Sequence, residues 1–347
     1  MTKINLEIPD CPICGQSTFE TLHTDLTDNI WQKPGRFNIQ RCIHCALVMT
    51  RPRPAPESLA FYYDNTYSGE DQDGMAQFHQ GGLMKLISLY RLRVMEKVRP
   101  ILSGETILDV GCSYGGFLTT LREKRGSVGV GIDLDEGALQ QTSSSSELRF
   151  LVTEIAEYDG QPGSFDWVTF WESLEHHAQP IEALKTAHTL LKPNGLCCVE
   201  VPNYNGFWRR VFGKYWLPFL MPQHLFHFSK RSLEKTAEAA GLRLVHHQTM
   251  FYPLEGVASL GIALAKFLRS PPPGAPFSWR TPFDILVFLI LVLLYFCVEI
   301  PSQLLLSLSG QSGHQLAVFQ KDQKVAPEAQ ESDLVPQEPL PQATALE

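Results

Sequence analysis

Ile107 to Phe117 reads ILDVGCSYGGF, an apolar run that ends at an acid and a glycine-rich turn. A glycine turn between a buried strand and a helix often holds an anionic cofactor at the helix N-terminus. This turn departs from the dinucleotide pattern G-x-G-x-x-G, because its three positions are Gly111, Ser113 and Gly116. The carboxylate of Asp109 would also repel a diphosphate in a partly dry pocket. The stretch therefore favours a cofactor that carries positive charge.

Strand and helix signals alternate around this turn, from residue 106 to about residue 250. The predicted strands are TILDV, SVGVGID, LRFLV, FDWVTFW, GLCCVEV and LRLVHHQTM, and HQLAVFQ (314–320) adds a seventh. Helices are predicted over 83–98, 116–125, 135–142, 180–191 and 230–240. Several strands are almost continuously apolar, as in a sheet covered on both faces. The pattern predicts an α/β fold, a doubly wound and mostly parallel seven-stranded sheet.

The turn resembles motif I of the class I S-adenosylmethionine-dependent methyltransferases, whose cofactor carries a sulfonium and no phosphate. The resemblance implies their Rossmann-like fold and a set of cofactor-binding residues. These are Asp109, Gly111, Cys112, Gly115, Asp133, Leu134, Glu154, Ile155, Phe170 and Trp171. Trp171 could equally be a core residue. Serine stands at 113 where the family usually has glycine, which is tolerable if the φ angle of Ser113 is negative.

Four of the eight cysteines form two C-x-x-C pairs near the N-terminus. Cys11 and Cys14 stand in CPIC, and Cys42 and Cys45 stand in CIHC. Two such pairs can complete a tetrahedral site for one Zn²⁺, and four thiolates leave no open position for catalysis. A redox dithiol is the alternative, although a redox motif is normally single and belongs to a βαβ unit. With the methyltransferase motifs, the pairs resemble bacterial zinc-containing sugar C-methyltransferases.

Histidines after the fifth strand are the candidate catalytic bases. MPQHLFHFS (221–229) resembles the histidine-bearing segment of the zinc-containing sugar methyltransferases, which implies catalytic roles for His224 and His227. A hydroxyl or carbon nucleophile needs a base with a pKa near neutrality, most often histidine. The alternative is that these histidines cap or pack a loop. In LEHH (174–177), His176 is expected to order its loop and to pair with Glu175.

An apolar segment follows the sixth strand. ILVFLILVLLYFCV (285–298) contains no charge, but its 14 residues are too few to cross a bilayer as a helix. A helical hairpin that dips into one leaflet or lies in the membrane interface is the preferred interpretation, with 254–268 as its other arm. Lys266, Arg269 and Arg280 could then meet anionic headgroups. A hydrophobic lid, a dimer interface and a true spanning helix are the alternatives.

The chain is expected to divide into six segments. They are a cysteine module (1–55), a linker with a helix (56–105), the cofactor-binding core (106–250), the apolar insertion (251–309), a final strand (310–321) and a disordered tail (322–347). The net charge of −8 argues against nucleic acid as a partner. The polar N-terminus lacks the apolar stretch of a signal peptide, which favours the cytoplasm.

The resemblance implies methyl transfer from S-adenosylmethionine, with Zn²⁺ as a structural ion. The expected acceptor is a sugar or a lipid-linked glycan precursor at the inner face of the cytoplasmic membrane. The alternatives are a quinone or another lipid-like small molecule, and a zinc-binding scaffold that keeps the fold without catalysis.

Overall fold

A computed structural model describes residues 4–31, 33–63, 81–142, 144–268, 290 and 292–321. The expected disordered tail, Arg269, Arg280 and much of the apolar run 285–298 lie outside these residues.

The cysteine module is built from short strands around its two cysteine turns. Its strands are β1 (Leu6–Glu7), β2 (Phe19–Leu26), β3 (Phe37–Cys42), β4 (Val48–Thr50) and β5 (Arg53–Pro54), and helix α1 (Pro56–Tyr63) follows. A two-residue strand from much later in the chain, β11 (Phe226–His227), pairs with β4 and extends this sheet to the order β11-β4-β3-β2. The module is therefore joined by backbone hydrogen bonds to the segment that carries the candidate base.

The central sheet has seven strands, as predicted. They are β6 (Thr106–Val110), β7 (Val128–Asp133), β8 (Leu148–Val152), β9 (Phe165–Trp171), β10 (Leu191–Pro202), β12 (Leu242–Met250) and β13 (His314–Lys321). Their order is β12-β13-β10-β9-β6-β7-β8, and β13 runs antiparallel to both of its neighbours. The other neighbouring pairs are parallel, which brings the carboxyl ends of β6, β7, β9 and β10 to one edge.

Helices cover both faces of the sheet, because successive strand residues point to opposite sides. They are α2 (Gly82–Val98), α3 (Gly116–Arg125), α4 (Glu136–Gln140), α5 (Pro180–Leu190), α6 (Phe207–Phe212) and α7 (Lys230–Glu238). Ile107 and Trp167 pack on the side of α2 and α3, whereas Leu108 and Val168 pack on the side of α5 and α7.

Two predicted helices are longer than the observed ones by two residues or more. Asp135 is the N-cap of α4 and accepts a hydrogen bond from the Ala138 N–H at 3.0 Å, so the helix proper begins at Glu136. Helix α7 begins after a capping box between Ser229 and Ser232 and ends at Glu238.

The apolar insertion forms helices where the structure describes it. Helix α8 spans Glu255–Leu268, and a π-helical turn (Tyr295–Glu299) leads into α9 (Ile300–Leu308). None of the helices in the described ranges has the length and apolar character that a membrane crossing requires.

Candidate functional site

The glycine turn joins β6 to α3 through left-handed backbone. Gly111 has φ +76° and Gly115, the N-cap of α3, has φ +67°. A Cβ at position 111 would lie 2.5 Å from Ser173 Oγ, so this glycine is needed for close packing as well as for its φ angle. Ser113 also has a positive φ, +47°, so the condition under which serine is readily tolerated at this position is not met.

Hydrogen bonds to Asp133 explain why Ser113 adopts this conformation. Asp133 Oδ2 accepts the Ser113 N–H at 2.7 Å, and Oδ1 accepts the Asp135 N–H at 2.9 Å. The carboxylate at the end of β7 therefore fixes the glycine turn across 20 residues of sequence. Burial raises the pKa of Asp133, and these backbone hydrogen bonds oppose that effect.

Asp109 lies at the carboxyl end of β6 and is almost completely buried. Burial raises its pKa to about 7, although a 2.7 Å hydrogen bond from Thr169 Oγ1 and the charge of Arg91 both act to lower it. Asp109 therefore changes its protonation near neutral pH and would ionise more readily beside a bound cation.

Arg91 is a site residue that the sequence did not reveal. Its Nε donates to Glu200 Oε2 at 2.7 Å, and its guanidinium carbon lies 4.8 Å from the ring centroid of Trp171. It occupies a polar position of α2 between apolar residues of the predicted helix face, so the helical period gave no reason to single it out.

The remaining predicted cofactor residues are either core or surface residues. Cys112, Ile155 and Phe170 are buried, whereas Leu134 and Glu154 are exposed. Trp171 packs edge-on against Phe117, and its buried Nε1 has no hydrogen-bond partner among the described residues.

The residues at this edge of the sheet suit S-adenosylmethionine. Asp109 and Asp133 favour a cation, and Arg91 can meet a carboxylate. The basic residues of α3, Arg122, Lys124 and Arg125, stand in its last turn, at the opposite end from Gly115, where they cannot reach a diphosphate at the glycine turn. Ser113 Oγ and Trp171 Nε1 are buried polar atoms without a hydrogen-bond partner in the described part of the chain, so they are further possible contacts for a ligand.

His224 has the geometry of a neutral base. Its Nδ1 lies 2.8 Å from the Pro218 carbonyl oxygen, which fixes a proton on Nδ1 and leaves Nε2 with a lone pair. Burial lowers the pKa of His224 to about 3, so the ring is uncharged at neutral pH. Nε2 faces Glu175 Oε1 at 3.8 Å, a distance beyond a normal hydrogen bond.

Glu175 is fully buried, and neither carboxyl oxygen has a hydrogen-bond partner among the described residues. Burial raises its pKa well above the ordinary value. The expected pairing of Glu175 with His176 is not found, because His176 Nδ1 lies 2.8 Å from Tyr63 Oη and 3.1 Å from the Gln223 carbonyl oxygen. Glu175, His176 and His224 bring ligand atoms within 4.8 Å of one another, so this group could also receive a cation.

His227 does not join His224 in this group. Its Nε2 lies 3.1 Å from Thr50 Oγ1, and its ring packs edge-on against Phe219. Burial lowers the pKa of His227 to about 3. These contacts join the cysteine module to the core, and they explain His227 as a packing residue.

Comparison with known proteins identifies the central part of the chain. Residues 83–247 match a family model described as a methyltransferase domain. They form a class I S-adenosylmethionine-dependent methyltransferase domain. The match covers the strands β6 to β10, the glycine turn and most of β12.

Several curated relatives of the methyltransferase domain carry the same name. The ubiquinone biosynthesis O-methyltransferase of Pseudomonas paraeruginosa is 33% identical over 137 residues, which is 37% of this chain and 59% of that protein. The protein of the same name from Methylococcus capsulatus is 28% identical over 231 residues, 60% of this chain and 97% of its own length. The chain thus spans less than two thirds of the Pseudomonas relative.

A solved structure shares the fold. Phosphoethanolamine N-methyltransferase 2 of Haemonchus contortus, solved with S-adenosyl-L-methionine, has a TM-score of 0.50 at 17% identity. The match covers 88% of this chain and 69% of that chain, and at this identity it supports the architecture alone.

A second missed pair lies beside the methyltransferase site. Glu172 follows β9 with φ +52°, an uncommon angle for a residue other than glycine, and its Oε2 lies 3.1 Å from His314 Nε2. Tyr252 stacks on the His314 ring with centroids 3.7 Å apart. Burial alone would lower the pKa of His314, but the charge of Glu172 and its hydrogen bond outweigh burial and raise that pKa.

The four cysteines of the module converge, as a metal site requires. Cys11 Sγ lies 3.3 Å from Cys45 Sγ, Cys14 Sγ lies 3.5 Å from Cys42 Sγ, and all four sulfurs lie within 4.8 Å of one another. Tetrahedral Zn–S bonds of about 2.3 Å would separate the sulfurs by roughly 3.8 Å. The four thiols therefore fit Zn²⁺, and Gly15 and Ala46 take the same left-handed conformation in the two turns.

Proposed function

We propose that this chain transfers a methyl group from S-adenosylmethionine to a hydroxyl group of a lipid-like, quinone-type acceptor. The observation that carries the cofactor assignment is the glycine turn flanked by the buried Asp109, the half-buried Asp133 and the half-buried guanidinium of Arg91. The names of the curated relatives support the acceptor class. The cysteine module is proposed to hold one structural Zn²⁺ through Cys11, Cys14, Cys42 and Cys45.

The cofactor residues have separate roles in this proposal. The bound cofactor would supply an electrophilic methyl group on a positively charged sulfur. Asp109 provides the negative charge that favours the cationic end, and Arg91 receives the methionyl carboxylate. Asp133, at the end of β7, holds the glycine turn through the Ser113 N–H. Its carboxylate can also accept hydrogen bonds from ribose hydroxyls, and its position about 20 residues after the turn agrees with this role.

The acceptor hydroxyl needs a group that takes its proton. His224 Nε2 carries a lone pair 3.8 Å from Glu175 Oε1. Negative charge on Glu175 would raise the pKa of the ring from about 3 towards neutrality, and Nε2 could then accept that proton. Burial raises the pKa of Glu175, and its carboxyl group, once ionised, would stabilise the imidazolium that forms. Tyr63 and the Gln223 carbonyl hold the neighbouring His176 in place.

A sugar or glycan precursor is the second candidate acceptor. The four-cysteine module favours it, because this module is the feature that resembles the zinc-containing sugar C-methyltransferases. The quinone-type acceptor is preferred, because the curated relatives share that name and the insertion exposes a large apolar surface. We also infer a peripheral position at the inner face of the cytoplasmic membrane, where a lipid-like acceptor would be found.

Two measurements test the proposal. Calorimetric titration should show S-adenosylmethionine binding at micromolar concentration, whereas binding of NAD alone would overturn the cofactor assignment. Labelled methyl donor should then be offered with quinol precursors and, separately, with nucleotide-linked sugars. Transfer only to sugars would show that the acceptor is a sugar and not a quinone-type molecule. Cofactor binding with no transfer to either class would support a zinc-binding scaffold without catalysis.

Substitution of the base separates catalysis from binding. His224→Ala should reduce methyl transfer to quinol precursors at least a hundredfold while cofactor affinity stays unchanged. His246→Ala, on β12 and outside the site, is the matched control. Normal turnover in the His224 variant would remove this residue as the base.

A further inference from the structure

The insertion presents large apolar side chains to solvent. Phe267 is 86% exposed at the end of α8, and Leu308 is 80% exposed at the end of α9. Other exposed apolar residues on or next to α6, α8 and α9, here called the apolar face, are Phe207, Val211, Leu254, Ile290, Leu293, Phe296, Val298, Leu304 and Leu305. Helix α6 packs against α8, and α8 packs against the π-helical turn that leads into α9, so these residues belong to one packed unit. A surface of this kind marks a binding site for a membrane or another protein.

The two acids of the unit point inward. Glu299 accepts the Gly256 and Val257 N–H groups at 3.0 Å each, so it caps the N-terminus of α8 from the neighbouring helix. Glu255 accepts from Trp216 Nε1, and Gln303 Nε2 lies 3.4 Å from its other oxygen. Both glutamates are at most 1% exposed. Neither places negative charge on the outer surface.

The exposed charges of the same unit are positive. Residues 203–228 contain no Asp or Glu, and the described residues of 251–313 contain only the two buried glutamates. Arg210, Lys214 and Lys266 are exposed on α6, the turn after it and α8. Arg210 donates to the neutral Gln311 and Lys266 to the neutral Thr27, so these cations keep their charge available. The basic surface charge of this unit contrasts with the net charge of −8 over the whole chain.

We propose that α6, α8 and α9 form a surface that docks on a bilayer containing anionic lipid. The apolar face would enter the boundary between headgroups and acyl chains, and Arg210, Lys214 and Lys266 would meet lipid phosphates. A surface with exposed apolar residues, whose exposed charges in the described parts of 203–228 and 251–313 are all basic, fits this occupant better than a second copy of an acidic protein. The inference rests on the proposed function and deepens it, because a lipid-like acceptor would be met at this surface.

Vesicle flotation of the full chain tests the surface. Vesicles of phosphatidylcholine alone and vesicles that also contain phosphatidylglycerol should be compared at low salt. The protein is expected to float with the anionic vesicles at least tenfold more than with the neutral ones. Failure to float with either kind would overturn the proposal.

Paired variants separate charge from apolar contact. Changing Arg210, Lys214 and Lys266 together to Gln should reduce flotation with anionic vesicles at least tenfold, whereas Lys124→Gln on α3 should not. Leu304→Ser combined with Leu305→Ser should reduce flotation with both kinds of vesicle. Leu102→Ser is the matched control, because Leu102 is 60% exposed elsewhere on the chain. Equal flotation of all variants and the unchanged chain would count against this surface.

Two further readouts keep the outcomes distinct. Sedimentation without lipid tests for a dimer. If a dimer forms and the double Leu variant disrupts it, the apolar face binds a second copy of the chain and the proposal is overturned. Titration with S-adenosylmethionine in the same buffers checks folding and the cofactor site independently of lipid. Loss of flotation with intact cofactor binding therefore rejects the surface alone, whereas absent cofactor binding rejects the proposed function.

Discussion

Thr50 Oγ1 donates a hydrogen bond of 2.7 Å to the carbonyl oxygen of His224. The same hydroxyl lies 3.1 Å from His227 Nε2, and the Thr50 N–H donates to the Leu225 carbonyl at 3.0 Å. Leu225 in turn donates its N–H to the Glu175 carbonyl at 2.9 Å. A continuous set of hydrogen bonds thus runs from the cysteine module, through the segment that bears the candidate base, to the loop of Glu175.

Replacement of Thr50 tests this connection. Thr50→Val keeps the shape of the side chain but removes the donor to His224, so we expect at least a tenfold lower kcat with unchanged affinity for S-adenosylmethionine. Thr50→Ser keeps the hydroxyl and should restore most of the activity. Steady-state kinetics and calorimetry make the comparison. Equal losses in Val and Ser variants would show that packing, and not the hydrogen bond, matters.

The raised pKa of Asp109 predicts a pH-dependent cofactor affinity. Because burial raises this pKa to about 7, lowering the pH from 8 to 6 should protonate Asp109 and weaken binding of the cationic cofactor. Asp109→Asn should bind roughly tenfold more weakly at pH 8, which corresponds to about 1.4 kcal/mol, and should lose most of the pH dependence. Calorimetric titration across this pH range is the measurement. A variant that binds as tightly as the unchanged chain at pH 8 would contradict the role of this charge.

The same carboxyl group links stability to pH. Its pKa in the folded state lies above the ordinary value of 3.8, so the folded protein binds the proton more tightly than the unfolded chain. Ionisation therefore opposes folding increasingly as the pH rises from about 4 to about 7. Without cofactor, Asp109→Asn should melt at a higher temperature than the unchanged chain at pH 8 and at nearly the same temperature at pH 4. A variant destabilised equally at both pH values would show that loss of the Thr169 hydrogen bond dominates.

Metal analysis tests the cysteine module. The chain should contain about one Zn²⁺, and Cys42→Ser should lose it because a closed site needs all four thiolates. Since β4 follows this cysteine and carries Thr50, the variant should also lose methyl transfer. Cys297→Ser, which alters an exposed cysteine outside the module, is the control. Full metal content in the Cys42 variant would rule out a site of four thiolates.

Ser113 offers a stabilising substitution. Its φ of +47° is unfavourable for any residue with a Cβ, by roughly 1–2 kcal/mol, and Gly accepts this angle without that penalty. Ser113→Gly should therefore raise the free energy of unfolding by about 1 kcal/mol, after allowance for the entropy that glycine adds to the unfolded chain. Urea unfolding gives the measurement. Gly111→Ala should have the opposite effect, because a Cβ there would meet Ser173.

The strands and the cofactor turn were predictable because their signals are local. The apolar strands, the acid at 109 and the interval of 20 residues from Ser113 to Asp133 can be seen directly in the order of the residues. The two C-x-x-C pairs predict that their turns lie together, because one Zn²⁺ needs all four thiolates. The family match and the seven-stranded sheet confirm the predicted methyltransferase fold. The individual cofactor roles and the role of His224 as base remain predictions.

The missed features depend on contacts between distant residues. Glu172 and His314 are 142 residues apart, and Thr50 and His224 are 174 residues apart. Neither pair follows a helical or a strand period, and β11 is only two residues long, so no repeating pattern marks it. The positive φ of Ser113 could not be predicted, because no sequence pattern reveals that Asp133 binds the backbone N–H groups of Ser113 and Asp135.

The position of β13 has a consequence for how the chain is made. This strand is the last of the sheet in sequence, yet it lies between β10 and β12 and pairs with both. Until a ribosome has released residue 321, the edge of β10 stays open and β12 has no neighbour in the sheet. The apolar helices of the insertion leave the ribosome after β12 and before β13, while the sheet is still incomplete. Newly made chains would therefore pass through an aggregation-prone stage, and a protective chaperone would be most useful immediately before the final strand closes the gap.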